Sequence, residues 1–236
     1  MGYKPPTTST EWVLEDALGR GGFSNAYSVR RKTDSQLCVM KDFRSVVECA
    51  NERKILELLV DVGNVPKVEW FGVHSNLLIV SPVGARLLPY RGGCRTTGLH
   101  YGQLVDIVKA AHEKNIVHRD IKPGNIYLVG DNVLLNDWGS ACVLEGGCSY
   151  TWVGTQCYGD RPAAEDDYLP SFVDDLRALT RTLYTLVYHE LPPEQDDTVG
   201  FWNARKTEKS GTWSKLWVHA DSCDYDQFRA GACSLK

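Results

Sequence analysis

His118-Arg119-Asp120-Ile121-Lys122-Pro123-Gly124-Asn125 is followed, a short hairpin's length later, by Asp137-Trp138-Gly139. The first stretch puts a carboxylate, an ammonium and an amide on one turn. The second adds another carboxylate within reach. Two carboxylates and an amide can hold Mg²⁺ and take a nucleophile's proton, while the lysine meets phosphate charge.

Working outward, residues 99–115 carry Leu104, Ile107, Val108 and Ala111 at helical spacing and lead through Ile116-Val117 into the motif. Ile126–Val129 and Val133–Leu135 flank Gly130-Asp131-Asn132, a hairpin signal that sets Asp137 opposite Asn125. Nearer the N-terminus, Trp12-Val13-Leu14, Ala26–Val29 and Leu37–Lys41 alternate as strands. Between the first two lies Leu18-Gly19-Arg20-Gly21-Gly22-Phe23-Ser24, whose glycines allow a backbone to approach a phosphate closely. Val46–Val60 has the period of a helix, with Glu48, Glu52 and Glu57 on or near it. Val68–Val73 and Asn76–Val80 are two further strands, with His74-Ser75 as their turn, and Pro82-Val83-Gly84 ends the second.

Taken together, the glycine-rich turn, Lys41, Glu52, H-R-D-I-K-P-G-N and D-W-G resemble the eukaryotic protein-kinase superfamily. The resemblance implies a bilobal α+β fold, with a small antiparallel sheet and one helix above a mostly helical, shortened lower lobe. It implies one domain over residues 11–236 after a lead-in of residues 1–10, the lobes dividing near residue 82. ATP and Mg²⁺ (or Mn²⁺) are the implied cofactors. Gly19, Gly21 and Gly22 would cover the phosphates; Lys41, paired with Glu52, would meet the α/β-phosphates; Val80 and Val83 would border the adenine. Asp120 would orient or accept the proton of the attacking hydroxyl, and Lys122 would offset charge on the transferring group. Asn125 and Asp137 would bind the metal. His118 reads as a packed histidine, and Trp138, in place of phenylalanine, should pack beneath the Glu52 helix.

Lys122, two residues after Asp120, matches the serine/threonine branch, so the implied partner is a protein with a Ser or Thr acceptor. Gly154-Thr155-Gln156-Cys157-Tyr158 resembles the substrate-positioning element, with Thr155 bonded to Asp120 and Lys122. Arg119 is the expected receptor for a loop phosphate on Ser140, Ser149 or Thr151. Asp175, opening the helix that runs through Leu183 and Val187, would hold the catalytic-loop backbone.

The departures are specific. Ser24 stands at the third glycine position and Ala26 at the usual valine, both of which bear on nucleotide grip. The expected A-P-E is Gly159-Asp160-Arg161-Pro162-Ala163-Ala164-Glu165, with Glu165 as the candidate substitute. Few residues follow Asp175, so an abbreviated lower lobe is expected, with Trp202, Trp213, Trp217 and Phe228 to cap it. These features leave two rivals. One is a pseudokinase acting as a binding or scaffolding module; the intact Lys41, Asp120, Asn125 and Asp137 oppose it. The other is a small-molecule phosphotransferase, disfavoured by Arg119 and the K-P-x-N run.

Composition excludes other classes. The 236 residues are 43% hydrophobic and 24% charged with net charge −4, giving no global attraction to nucleic acid or anionic membrane. No apolar run reaches the roughly 20 residues of a membrane span. Met1–Pro6 lacks an apolar stretch, so no signal peptide is expected, and the expected compartment is cytoplasmic or nuclear. The eight cysteines include no C-x-x-C pair, which points to reduced, mostly buried thiols and away from zinc or a disulfide framework.

Overall fold

The computed structural model describes residues 10–72, 75–87, 96–145, 150–160, 167–192 and 210–235. Its upper lobe is a five-stranded antiparallel sheet of β1 (Trp12–Arg20), β2 (Ser24–Arg31), β3 (Leu37–Phe43), β4 (Lys67–Phe71) and β5 (Leu77–Ser81), in the order β1-β2-β3-β5-β4. Period-two alternation decides which way each side chain faces. Cys38 and Met40 turn outward with Ile79, Val29 and Trp12 into a small cluster. Val39, Lys41 and Phe43 face the other way, with Leu78 and Val80, toward the helix and the lower lobe. Lys41 therefore sits on the cleft face because of its register, opposite Ala26 on one side and Leu78 on the other.

Helix α1 (Val46–Leu58) begins where the Ser45 side chain accepts a bond from the Val47 amide at 3.1 Å. Cys49, Glu52, Ile55 and Leu56 form its buried face, so Glu52 is carried inward by the same periodicity that buries the apolar residues. A two-residue strand, β6 (Ala85–Arg86), follows the crossing between lobes and pairs with a lower-lobe strand; the sequence alone reads there as loop.

The lower lobe is built on α2 (Gly98–His112) and α3 (Phe172–Tyr188), with the hairpin β8 (Ile126–Val129) and β9 (Asn132–Leu135) on its upper surface. Between them, β7 (Ile116–Val117) pairs with β10 (Cys142–Val143). The α3 helix is buried on nearly every side through its middle, Ala178 to Leu186, which marks it as the centre of the lobe. Two helices come after it among the described residues, α4 (Ser210–Asp221) and α5 (Tyr225–Cys233). Trp213 and Phe228 are buried and Trp217 packs against the core, so the aromatic cap is present; Trp202 lies outside the described residues. One continuous core runs from Phe43 and Ile55 through Leu104 and Trp138 to Phe228. Among the described residues no helix is long and apolar enough to cross a membrane.

Candidate active site

Between the lobes lies a cleft of about 450 Å³, lined by Gly19, Gly21, Gly22, Lys41, Val80, Val83, Lys122, Asn125 and Asp137. Ser24, Ala26, Asn136 and the floor residue Leu134 also line it. Gly84 beneath Val83 is there for space: a Cβ on it would sit 2.7 Å from that of Tyr127.

Lys41 is 4% exposed, and its Nζ donates to Glu52 Oε1 at 2.5 Å and to Asp137 Oδ1 at 3.4 Å. Burial would push this ammonium's pKa down, but the Glu52 and Asp137 carboxylates outweigh it and hold the pKa above the ordinary lysine value. The three groups form a charged file from α1 through β3 to the start of the D-W-G turn. Glu48 and Glu57 do not share it; Glu57 pairs with Arg53 at 2.8 Å on the helix surface.

Asp120 lies one layer below. It accepts bonds from Lys122 Nζ (2.7 Å, Oδ2) and Thr155 Oγ1 (2.6 Å, Oδ1), and Lys122 Nζ reaches the same threonine at 2.8 Å. Asn125 Nδ2 donates to the Asp120 carbonyl at 2.8 Å, which leaves its oxygen as the atom available to a cation. Pairing of Ile126 with Leu135 brings Asn125 beside Asn136, whose amide donates to the Asn125 carbonyl at 2.8 Å. Asp137 follows at once. Its pKa lies below the usual carboxylate value: Lys41, His118 and Lys122 overcome the upward push of burial.

Two non-glycine residues here occupy the left-handed backbone region, Arg119 (φ 69°) and Asp137 (φ 66°). Such strain persists where surrounding contacts enforce it. For Arg119 the enforcer is Asp175, buried in α3, which accepts from the His118 amide at 2.7 Å and the Arg119 amide at 2.9 Å. Asp175 also meets His112 Nε2 at 3.0 Å, and the other nitrogen of that ring meets the Tyr225 hydroxyl at 2.5 Å. His118 is buried against Trp138, ring centroids 4.5 Å apart, with Nε2 against the Asn136 carbonyl.

Three placements change the sequence reading. The Arg119 guanidinium is engaged with main chain: Nη1 donates to the Ser140 carbonyl at 3.3 Å and Nη2 to that of Thr151. Of the candidate phosphosites, Ser140 is buried, Thr151 is exposed, and Ser149 lies outside the described residues. Glu165 and the rest of 161–166 also lie outside them, as does His74. Among the described residues a carboxylate that ties this segment to α3 is Asp160: Arg181 Nη2 reaches its Oδ1 at 2.5 Å and Arg177 Nη1 its Oδ2 at 3.0 Å. Arg181 is 2% exposed and also donates to the Tyr158 carbonyl at 3.0 Å, with Trp217 below it at 4.9 Å. The signal in the sequence that could have found this contact is a pair of arginines one helical turn apart on α3. Asn51 was likewise overlooked: its Nδ2 donates to the carbonyls of Gly139 (2.9 Å) and Ala141 (3.0 Å).

The cysteines are free where described. Cys38 and Cys49 are buried and their thiols pushed up to about 11 by desolvation, which leaves them unreactive. No cluster of three or more His, Cys, Asp or Glu suited to a metal occurs among the described residues. The Asn125 and Asp137 oxygens instead suit a hard cation such as Mg²⁺ or Mn²⁺, which takes its other ligands from water and phosphate.

The protein kinase domain family matches residues 12–219. Among curated proteins the chain is similar to the probable serine/threonine-protein kinase zyg-1 of Caenorhabditis briggsae, 28% identical over 207 residues, covering 81% of this chain and 29% of that protein. It is 30% identical over 160 residues to the serine/threonine-protein kinase Nek8 of Danio rerio, covering 60% of this chain and 23% of that one. With the serine/threonine-protein kinase pkn3 of Myxococcus xanthus it shares 25% over 240 residues, 88% of this chain and 43% of the relative. The chain thus spans less than half the length of each of these relatives. The solved structure of the Cydia pomonella granulovirus kinase PK-1 superposes with a TM-score of 0.74 at 18% identity, covering 93% of this chain and 92% of that one, a likeness of fold.

Proposed function

Because the chain belongs to the protein kinase domain family, we propose that it transfers the γ-phosphoryl group of ATP to a serine or threonine hydroxyl of a protein substrate. The domain in this reading is residues 11–236. The observation that carries it is the three-way contact of Asp120, Lys122 and Thr155, which joins the catalytic turn to the segment that would receive a peptide.

In the proposed mechanism Lys41 fixes the α/β-phosphates, and Glu52 keeps its ammonium from swinging away. The glycine-rich turn lays its backbone over the triphosphate, and Val80, Val83 and Leu134 border the adenine. Bound by Asn125 and Asp137, Mg²⁺ would supply neutralising charge at the phosphates. Asp120 orients the acceptor hydroxyl and takes its proton, while Thr155 and Asn125 hold that carboxylate still. Lys122 stands close enough to offset charge developing on the transferred group. Ser24 and Ala26, both at the cleft wall, give a looser nucleotide grip than glycine and valine would.

The test is phosphoryl transfer to itself and to a Ser/Thr peptide library with Mg²⁺-ATP. Asp137→Ala should abolish transfer, a fall of at least about 10³-fold. Equal activity in that variant would refute the mechanism. Turnover of ATP with a metabolite and with no peptide would instead indicate a small-molecule substrate.

A further inference from the structure

Residues 139–141, just beyond Asp137, have three consecutive carbonyls, and each is taken by a side chain from another element. Asn51 of α1 donates to the first and third, at 2.9 and 3.0 Å. Arg119 of the catalytic turn donates to the second at 3.3 Å. Both hydrogens of the Asn51 amide group are thereby used. Asn51 directly precedes Glu52, so one turn of α1 grips Lys41 with one residue and the D-W-G turn with the other. The approach is close: a Cβ on Gly139 would lie 3.2 Å from Glu52 Oε2.

We propose that Asn51 is a positioning residue that couples α1 to the Asp137 segment, so that Glu52, Lys41 and Asp137 take their working places together without modification of the loop. Its kinetic consequence rests on the phosphoryl-transfer reading; the coupling itself does not. A shift of α1 away from the cleft leaves two carbonyls and an amide group short of partners. A shift of the Asp137 turn does the same. The two movements are therefore one equilibrium, not two. Because the receiving atoms are main-chain carbonyls, no added charge is needed to order them. Arg119, holding the middle carbonyl, adds a third contact from the catalytic turn.

Three proteins test this: wild type, Asn51→Leu, which keeps the branched shape and loses the donors, and Asn51→Asp, which sets an acceptor against two carbonyls. In Asn51→Leu, amide hydrogen exchange should quicken together in 46–58 and 137–141 while the 126–135 hairpin is unchanged. The Mg²⁺ concentration for half-maximal rate should rise about fivefold or more, further in Asn51→Asp. A purely structural role would lower the folded fraction and hence kcat, leaving that midpoint where it was. Phosphatase-treated wild type should keep its full rate. Exchange that changes in only one of the two segments, or in neither, overturns the coupling, as does an unmoved Mg²⁺ midpoint. A large loss of rate on phosphatase treatment overturns the independence from modification. If wild type transfers no phosphoryl group at all, the kinase reading fails, and hydrogen exchange alone decides the coupling.

Discussion

Lys41 and Glu52 are both nearly sealed from solvent, at 5% and 0% side-chain exposure. An ion pair buried this deeply adds little net stability, yet removing one partner strands the other. Lys41→Met should therefore abolish transfer and also cost about 3 kcal/mol of stability. The double variant Lys41→Met/Glu52→Gln should recover most of that stability and none of the activity, read by thermal denaturation beside a transfer assay. A double variant as unstable as the single one would show that the loss does not come from a stranded Glu52 carboxylate. These two residues were legible through their resemblance to the paired strand lysine and helix glutamate of the kinase family, and the strand and helix periods are compatible with both facing inward. Asn51 was not, because donation to a main-chain carbonyl leaves no complementary side chain to notice.

At the level of elements, α3 carries the arrangement more than any strand does. Asp175 in its first turn holds the His118 and Arg119 amides; burial pushes its carboxylate pKa up, but His112, His118 and the His118 amide outweigh it and leave the pKa lowered. With the folded pKa below the unfolded one, its contribution is present above the unfolded value of about 4 and is lost as pH falls through the folded value. Asp175→Asn should thus be less stable than wild type by about 3 kcal/mol near neutrality, with the gap closing in acid. Denaturation midpoints from pH 7 down to about 2.5 measure this, and a gap independent of pH would contradict it. The helix itself, α1, α2 and the 126–135 hairpin were readable from periodicity and turn residues. The two-residue β6 was not, since its pairing with β8 is made by tertiary contact rather than by a local pattern.

Across the whole molecule, the lobes share one apolar core, and the cleft is an interruption in it lined with charge. The fold was legible because the charged motifs occur in a fixed order along the chain. The support beneath the 154–160 segment was not, because Arg177 and Arg181 lie 17 and 21 residues from Asp160 and no motif pairs them with it. Asp160→Asn should raise KM for an acceptor peptide about tenfold by loosening the 154–160 segment, with KM for ATP unchanged. Equal changes in both constants would show general destabilisation instead.

The dependence of the catalytic turn on Asp175 also bears on the order in which the protein can acquire its activity. A chain made only to residue 160 already contains every residue assigned to phosphoryl transfer, from Lys41 to Asp137. It lacks the carboxylate that holds the His118 and Arg119 amides and the arginines that receive Asp160. On the phosphoryl-transfer reading, such a chain would have the reagents without the mount during synthesis, and turnover would begin only once α3 has emerged and docked.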